Sequence, residues 1–358
     1  MKNPKVVLVG QYNPSHEELG GIENYIKSLH QYLIKKKLET YIVGWGKHNE
    51  NIKNFTSIIK SNKIRGAVFS MNLLVKAPFI KIPKNAVIHV HRPDHILPFM
   101  LRKNKIICTL HGAHVENIRL KKGFVTYMLY NVLQKIALRR ADKIMAVSDE
   151  TKNYFVTKYP FVKNKITVIP PAVGLMFKPL DRKKCRKGFG LRNGEKILLY
   201  LGRLEKEKQV DILIKLISNT KYKVIIAGAG REEQRLKEQA QGSKNIAFIG
   251  EVYGESVPKL INCADALVLL SKHEGMPTVV LESLACGIPV LSTDTGDVRK
   301  VVIDGKTGFI VTPDNLLQKT EKLINSRNLK KNCLKIAEKY SWNNIGNEIV
   351  ALYQELEK

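Results

Sequence analysis

Acidic residues are scarce in this 358-residue chain: 32 Asp+Glu stand against 60 Lys+Arg, a formal net charge of +28. A protein so short of negative charge is drawn to anions, and nucleic acid, an anionic membrane face and an acidic substrate are the three classes that fit. The shortage is local, because residues 1–178 hold 30 Lys+Arg and 10 Asp+Glu, a balance of +20 that leaves +8 for the rest. Nucleic acid is set aside, since there is no zinc-finger spacing, no aromatic RNA-binding motif and no arginine-dominated tail. Much of the excess is lysine scattered through helices, so an ordinary solvated surface stands beside the membrane reading.

Cysteine is sparse too. Cys108, Cys185, Cys263, Cys286 and Cys333 are odd in number and never form a C-x-x-C pair, which excludes a disulfide framework and a zinc site and points to a reducing, cytosolic compartment. No apolar run approaches the ~18–20 residues of a membrane span, and the N-terminal M-K-N-P-K-V-V-L-V-G reads as a strand entry rather than a cleavable signal. Hydrophobic residues at 44% and charged residues at 26% match a soluble globular chain. The length suggests two domains, since single cores stop growing near ~250–300 residues.

What is present is organised around Ser271–Thr293, S-K-H-E-G-M-P-T-V-V-L-E-S-L-A-C-G-I-P-V-L-S-T. The apolar segment Ala266 to Leu270 reads as a strand that runs into a polar turn. Pro277 sits at a first helical position, where a missing N–H is no loss, and the helix runs to Cys286 before Gly287 stops it. Glu274 precedes that helix and Glu282 lies about one turn inside it. The opening at Gly275, Met276, Pro277 and Thr278 then offers free helix N–H groups to an anion, flanked by two carboxylates that accept hydrogen bonds from sugar hydroxyls. This E-x7-E spacing, with S-L-A-C-G-I-P-V after it, resembles the signature of the retaining glycosyltransferases of the group 1/family 4 type. The resemblance extends over nearly the whole chain.

Toward the N-terminus, a strand at Lys5–Gly10, a helix from about Ile22 to Leu38 and a strand at Thr40–Gly44 make a βαβ unit with the pair Gly20-Gly21 at its first turn. Gly20 and Gly21 allow backbone N–H groups to approach a phosphate closely, and G-G-I-E-N-Y looks like the family's loop over the donor diphosphate. Glu23 equally suits a helix N-terminus. Strands at Ala86–Val90, Lys105–Leu110, Lys143–Val147 and Ile166–Ile169 alternate with helices near 61–75, 123–139 and 149–158, a doubly wound α/β pattern. His111 and Gly112 end the strand Lys105–Leu110 and look like the family's H-G element, while His91, Arg92 and His114 are candidates for acceptor contact.

From Lys121 to Arg140, Phe124, Met128, Leu129, Val132, Leu133, Ile136 and Leu138 interleave with Lys121, Lys122, Lys135, Arg139 and Arg140. Packing on the sheet accounts for the apolar face, and the cations suit either water or anionic headgroups. The passage Val168–Pro179 marks a linker near residues 170–190, where the basic run Arg182–Lys187 is expected to end regular structure.

The second half opens with a strand at Ile197–Leu201 and then G-R-L-E-K-E-K, in which Arg203 and Lys208 can place two cations on a pyrophosphate. It is similar to the family's G-R-L-x-x-x-K loop, with Gln209 where a glycine is usual. Ala227-Gly228-Ala229-Gly230 lacks the third glycine and the acidic partner of a dinucleotide fingerprint, so hydride chemistry is excluded and Gly228 is assigned to a base or ribose pocket. In S-T-D-T-G-D-V-R-K the residues Asp297, Arg299 and Lys300 depart from the family's G-G-x-P-E string.

The resemblance implies a GT-B fold, two Rossmann-like doubly wound α/β domains facing across a cleft. Residues 1–172 would bind acceptor, 190–340 nucleotide-sugar, and 341–358 would return toward the first domain. It implies a retaining hexosyltransferase using a UDP-sugar in preference to a GDP-sugar, with a glycan or lipid-linked acceptor. His111 would lie by the transferred sugar, Glu274 on a sugar hydroxyl, Glu282 on the ribose, and Arg203 and Lys208 on the diphosphate. No D-x-D triplet occurs, so neither a metal nor another cofactor is expected. The protein would be cytoplasmic, with an anionic membrane face as one home for its positive half. A sugar-nucleotide epimerase and a non-catalytic basic binding protein are the alternatives.

Overall fold

The computed structural model describes residues 4–14, 20–46, 54–61, 66–112 and 123–357. The chain divides into two compact units, Met1–Pro171 with Ile345–Lys358, and Ala172–Asn344. In the first, β1 (Val6–Val9), β2 (Thr40–Gly44), β3 (Phe55–Ser57), β4 (Val87–Val90), β5 (Ile106–Leu110), β6 (Lys143–Ala146) and β7 (Ile166–Val168) form one sheet. Its order is β3-β2-β1-β4-β5-β6-β7, and every pairing is parallel. Val6 pairs with Thr40 on one side and Val87 on the other, so β1 is central and buried on both faces, which is why its sequence is continuously apolar.

The second unit repeats the plan with β8 (Ile197–Leu201), β9 (Lys223–Ala227), β10 (Ile246–Gly250), β11 (Ala266–Leu269), β12 (Val290–Ser292) and β13 (Gly308–Ile310). The order is β10-β9-β8-β11-β12-β13. In each sheet the strand order reverses once, between β1 and β4 and between β8 and β11, and the carboxyl ends at such a point are where open α/β sheets bind ligands. No helix among the described residues is long and apolar enough to cross a membrane.

Four expectations need correction. Strand β3 has no counterpart in the sequence reading, because a three-residue edge strand with one exposed threonine carries no periodicity. The basic run Arg182–Gly188 is an α-helix rather than a break. Asp181 caps it by accepting from the Lys184 N–H at 3.1 Å, and Arg186 is buried, donating to Asp265 at 3.0 Å and to the Cys263 carbonyl at 3.0 Å. The helix Phe124–Arg140 packs through Gln134, Ala137 and Leu138, while Phe124, Val125, Met128, Leu129, Val132 and Ile136 are exposed. Packing on the sheet therefore does not account for most of its apolar face. Arg140 is not a surface cation either, since its guanidinium donates to the Arg102 and Asn104 carbonyls at 2.6 and 2.8 Å and pairs with Asp142.

Candidate active site

In the second unit the site is assembled from loops at the ends of β8, β11 and β12. Lys208 closes a 3-10 turn, and its ammonium donates to Glu274 Oε1 at 2.5 Å, with both side chains mostly buried. A buried ion pair of this kind fixes two side chains in one geometry at the cost of desolvating both. Arg203 is exposed, and among the described residues its guanidinium has no partner. Its carbonyl accepts from the Tyr200 hydroxyl at 2.7 Å. Burial raises the Tyr200 pKa, as does the charge of Glu274, while Arg203 opposes the rise, so the three groups share one electrostatic neighbourhood.

The helix Thr278–Ala285 starts at Pro277 with no side chain capping its first turn, which leaves its amide end open to an anion. Glu282, inside that helix, has no hydrogen-bond donor among the described residues, and burial pushes its carboxyl up to about 7. Its charged form therefore gains from any donor that reaches it.

The stretch that departs from the family string braces this loop. The Glu274 N–H donates to Thr295 Oγ1 at 3.0 Å, and the Asp297 N–H donates to the Gly275 carbonyl at 2.8 Å. Gly296 has φ +53°, and a Cβ there would lie 2.2 Å from the carbonyl oxygens of Glu274 and Gly275. The one glycine that the geometry requires is retained, while Asp297 turns to Lys300 at 2.8 Å. Gly228 likewise has a packing reason: φ is +133° and a Cβ would lie 1.9 Å from the Gly202 carbonyl oxygen.

In the first unit, Gly20 caps the helix Gly21–Lys35, again without a side-chain hydrogen bond at the cap, and a Cβ on Gly21 would meet nothing within 4 Å. Among the described residues the fold therefore has no need of glycine there. His111 follows β5, with its Nε2 3.2 Å from Nδ1 of His91 and the Tyr25 ring edge-on at 5.1 Å. His91 is buried, stacks on His89 at 4.5 Å, and is held neutral by burial and by the histidines beside it. His89 in turn bonds Tyr353 Oη and Thr109 Oγ1, both at 2.6 Å. Among the described residues His91 Nε2 has no partner, and the tautomer that leaves only an acceptor unpaired is the one with the proton on Nδ1, donating to His111. Arg92 forks onto Asp94 with two bonds of 3.0 Å.

Two family models match: Glycosyltransferase Family 4 over residues 19–176, and Glycosyl transferases group 1 over residues 181–340. Between them the two models span most of the chain, which is a glycosyltransferase. An uncharacterized glycosyltransferase of Methanocaldococcus jannaschii is 27% identical over 98% of this chain and 98% of its own length. The capsular polysaccharide biosynthesis glycosyltransferase CapM of Staphylococcus aureus is 28% identical, covering 91% of this chain and 90% of its own. Among solved structures, Anabaena HepE in complex with UDP and glucose superposes with a TM-score of 0.77 at 16% identity, over 98% of this chain and 99% of that one. The fold is GT-B, built from two Rossmann-like units.

In this glycosyltransferase the structure brings Lys208 and Glu274 into contact, and sets Gly275 and Met276 on the braced loop before Thr278. His91 is buried, with its Nδ1 against His111 Nε2. His114, Lys121 and Lys122 lie outside the described residues. Thr295, Gly296 and Tyr25 were not singled out from the sequence; the glycine in T-D-T-G-D was the available signal for the first two. Nothing local marks Tyr25.

Proposed function

We propose that this glycosyltransferase moves a hexose from a UDP-sugar to a glycan or lipid-linked acceptor with retention of configuration and without a metal, as a peripheral protein at the cytoplasmic face of an anionic membrane. The observation that carries the reading is the Lys208–Glu274 pair just ahead of an uncapped helix N-terminus, with the exposed Arg203 at the neighbouring strand end. The bond from the anomeric carbon to the leaving phosphate oxygen breaks, and the charge that develops on UDP falls to Arg203, Lys208 and the helix amides. The acceptor hydroxyl bonds to that carbon on the same face, and its proton goes to the departing phosphate.

In this scheme Glu282 accepts from the ribose hydroxyls, Glu274 from a sugar hydroxyl, and the Gly20-Gly21 amides lie on the diphosphate. His111 stands by the reacting carbon, fixed by His91. The UDP bound to HepE and the polysaccharide role named for CapM support the donor and acceptor classes. The test is incubation with radiolabelled UDP-glucose, UDP-N-acetylglucosamine and GDP-mannose plus membrane extract in EDTA. Label moving from a UDP-sugar to a glycan or lipid is expected. Interconversion of free sugar nucleotides, or transfer that EDTA abolishes, would contradict the proposal.

A further inference from the structure

Strand β8 is buried except at its last residue, and its fourth, Tyr200, is 1% exposed within the apolar core of the second unit. A phenylalanine would fill that volume equally well, so the core explains the ring but not the hydroxyl. A buried tyrosine hydroxyl needs a partner. Tyr200 finds one beyond the strand end, where its hydroxyl donates to the Arg203 carbonyl at 2.7 Å.

The same peptide unit is held at its other end. Its N–H, which belongs to Leu204, donates to the Ala229 carbonyl at 2.8 Å, so both polar atoms of the group linking Arg203 to Leu204 are committed. Because a peptide is planar, two such bonds restrict its rotation about ψ of Arg203 and φ of Leu204, and with it the direction in which the Arg203 side chain leaves the backbone. The links on either side are backbone to backbone: the Gly202 N–H donates to the Ala227 carbonyl at 3.0 Å, and the Glu232 N–H donates to the Leu204 carbonyl at 3.0 Å. The Arg203 carbonyl depends on a side chain instead. Arg203 is itself exposed, and a long solvated side chain loses rotamer entropy when it grips a ligand, a cost that a backbone set in advance reduces. The charges of Glu274 and Arg203 both bear on the Tyr200 hydroxyl, which places it on the ligand-binding side of the sheet.

We infer that Tyr200 is a positioning residue for diphosphate binding, its hydroxyl aiming Arg203 at the second phosphate of the nucleotide. The inference deepens the glycosyl-transfer reading and rests on it. The experiment titrates UDP and UMP calorimetrically into the full chain as wild type, Tyr200→Phe, Arg203→Ala and the double variant. Tyr200→Phe should lose about two- to tenfold in UDP affinity, the range of one neutral hydrogen bond, with UMP affinity unchanged. Because the hydroxyl acts through Arg203, adding Tyr200→Phe to Arg203→Ala should cost UDP nothing further. Hydrogen exchange at the Leu204 amide should quicken in Tyr200→Phe, since its peptide has lost one of two anchors.

A hydroxyl that only supports the fold would weaken UDP and UMP together and add its loss to that of Arg203→Ala. Either result, an unchanged UDP affinity in Tyr200→Phe, or an unchanged Leu204 exchange rate would overturn the inference. With Arg203→Ala still weakening UDP far more than UMP, those results leave the donor reading standing. Equal losses of the two ligands in Arg203→Ala would strike the donor reading itself, so the two failures are distinguishable.

Discussion

Glu282 carries a charge problem that its ligand can solve. Burial raises its carboxyl to about 7, and the ribose hydroxyl placed on it in the proposed scheme would favour the ionised form. The carboxyl pKa therefore falls on binding, so UDP affinity should rise with pH, by up to about tenfold per unit below 7, and level off above. Glu282→Gln should bind more weakly at high pH and show no such slope across pH 5.5–8.5. A second residue-scale test concerns Gln209, which has φ +52° and ψ +37°. The left-handed region costs a non-glycine residue about 1–2 kcal/mol, and a β-branched one more. Gln209→Gly should match or exceed the wild type in thermal stability, and Gln209→Val should fall below it by about 1–2 kcal/mol. The opposite order would show that the turn relaxes freely.

At the scale of elements, the loop Ser271–Pro277 owes its shape to the loop after β12. A Cβ at Gly296 would collide with two carbonyl oxygens of the Glu274–Gly275 turn, so Gly296→Ala should cost about 1–3 kcal/mol of stability. Because the displaced turn carries Glu274, transfer should fall further than stability does, at saturating UDP-sugar and at a temperature where the variant is folded. Unaltered turnover would detach the brace from catalysis. The parallel strands and the helix Thr278–Ala285 were legible in the sequence, because buried strands read as apolar runs and Pro277 and Gly287 punctuate the helix. The brace was not legible, since it depends on backbone contacts between segments about twenty residues apart. The exposed stripe on the helix Phe124–Arg140 was visible as a pattern, but which face the core would cover was not. Nor could spacing show that His91 is buried while His111 is not, as both simply end strands.

For the whole molecule, the positive charge is concentrated in residues 1–178. Cations near an anionic bilayer contribute about 1 kcal/mol each and are screened within ~10 Å at 0.1 M salt. Co-sedimentation with vesicles should therefore rise with anionic lipid content and fall with salt. Lys135→Glu with Arg139→Glu should reduce it more than tenfold, and independence of both lipid and salt would leave the charge as solvated surface. The central claim, that the second unit holds a nucleoside diphosphate through cations placed on its phosphates, is tested most directly by titrating UDP and UMP into the wild type, Arg203→Ala and Lys208→Ala. A charge-assisted contact of ~1.5–3 kcal/mol corresponds to roughly ten- to a hundredfold. Each variant should lose about that much for UDP and far less for UMP, and equal losses for the two ligands would contradict the account.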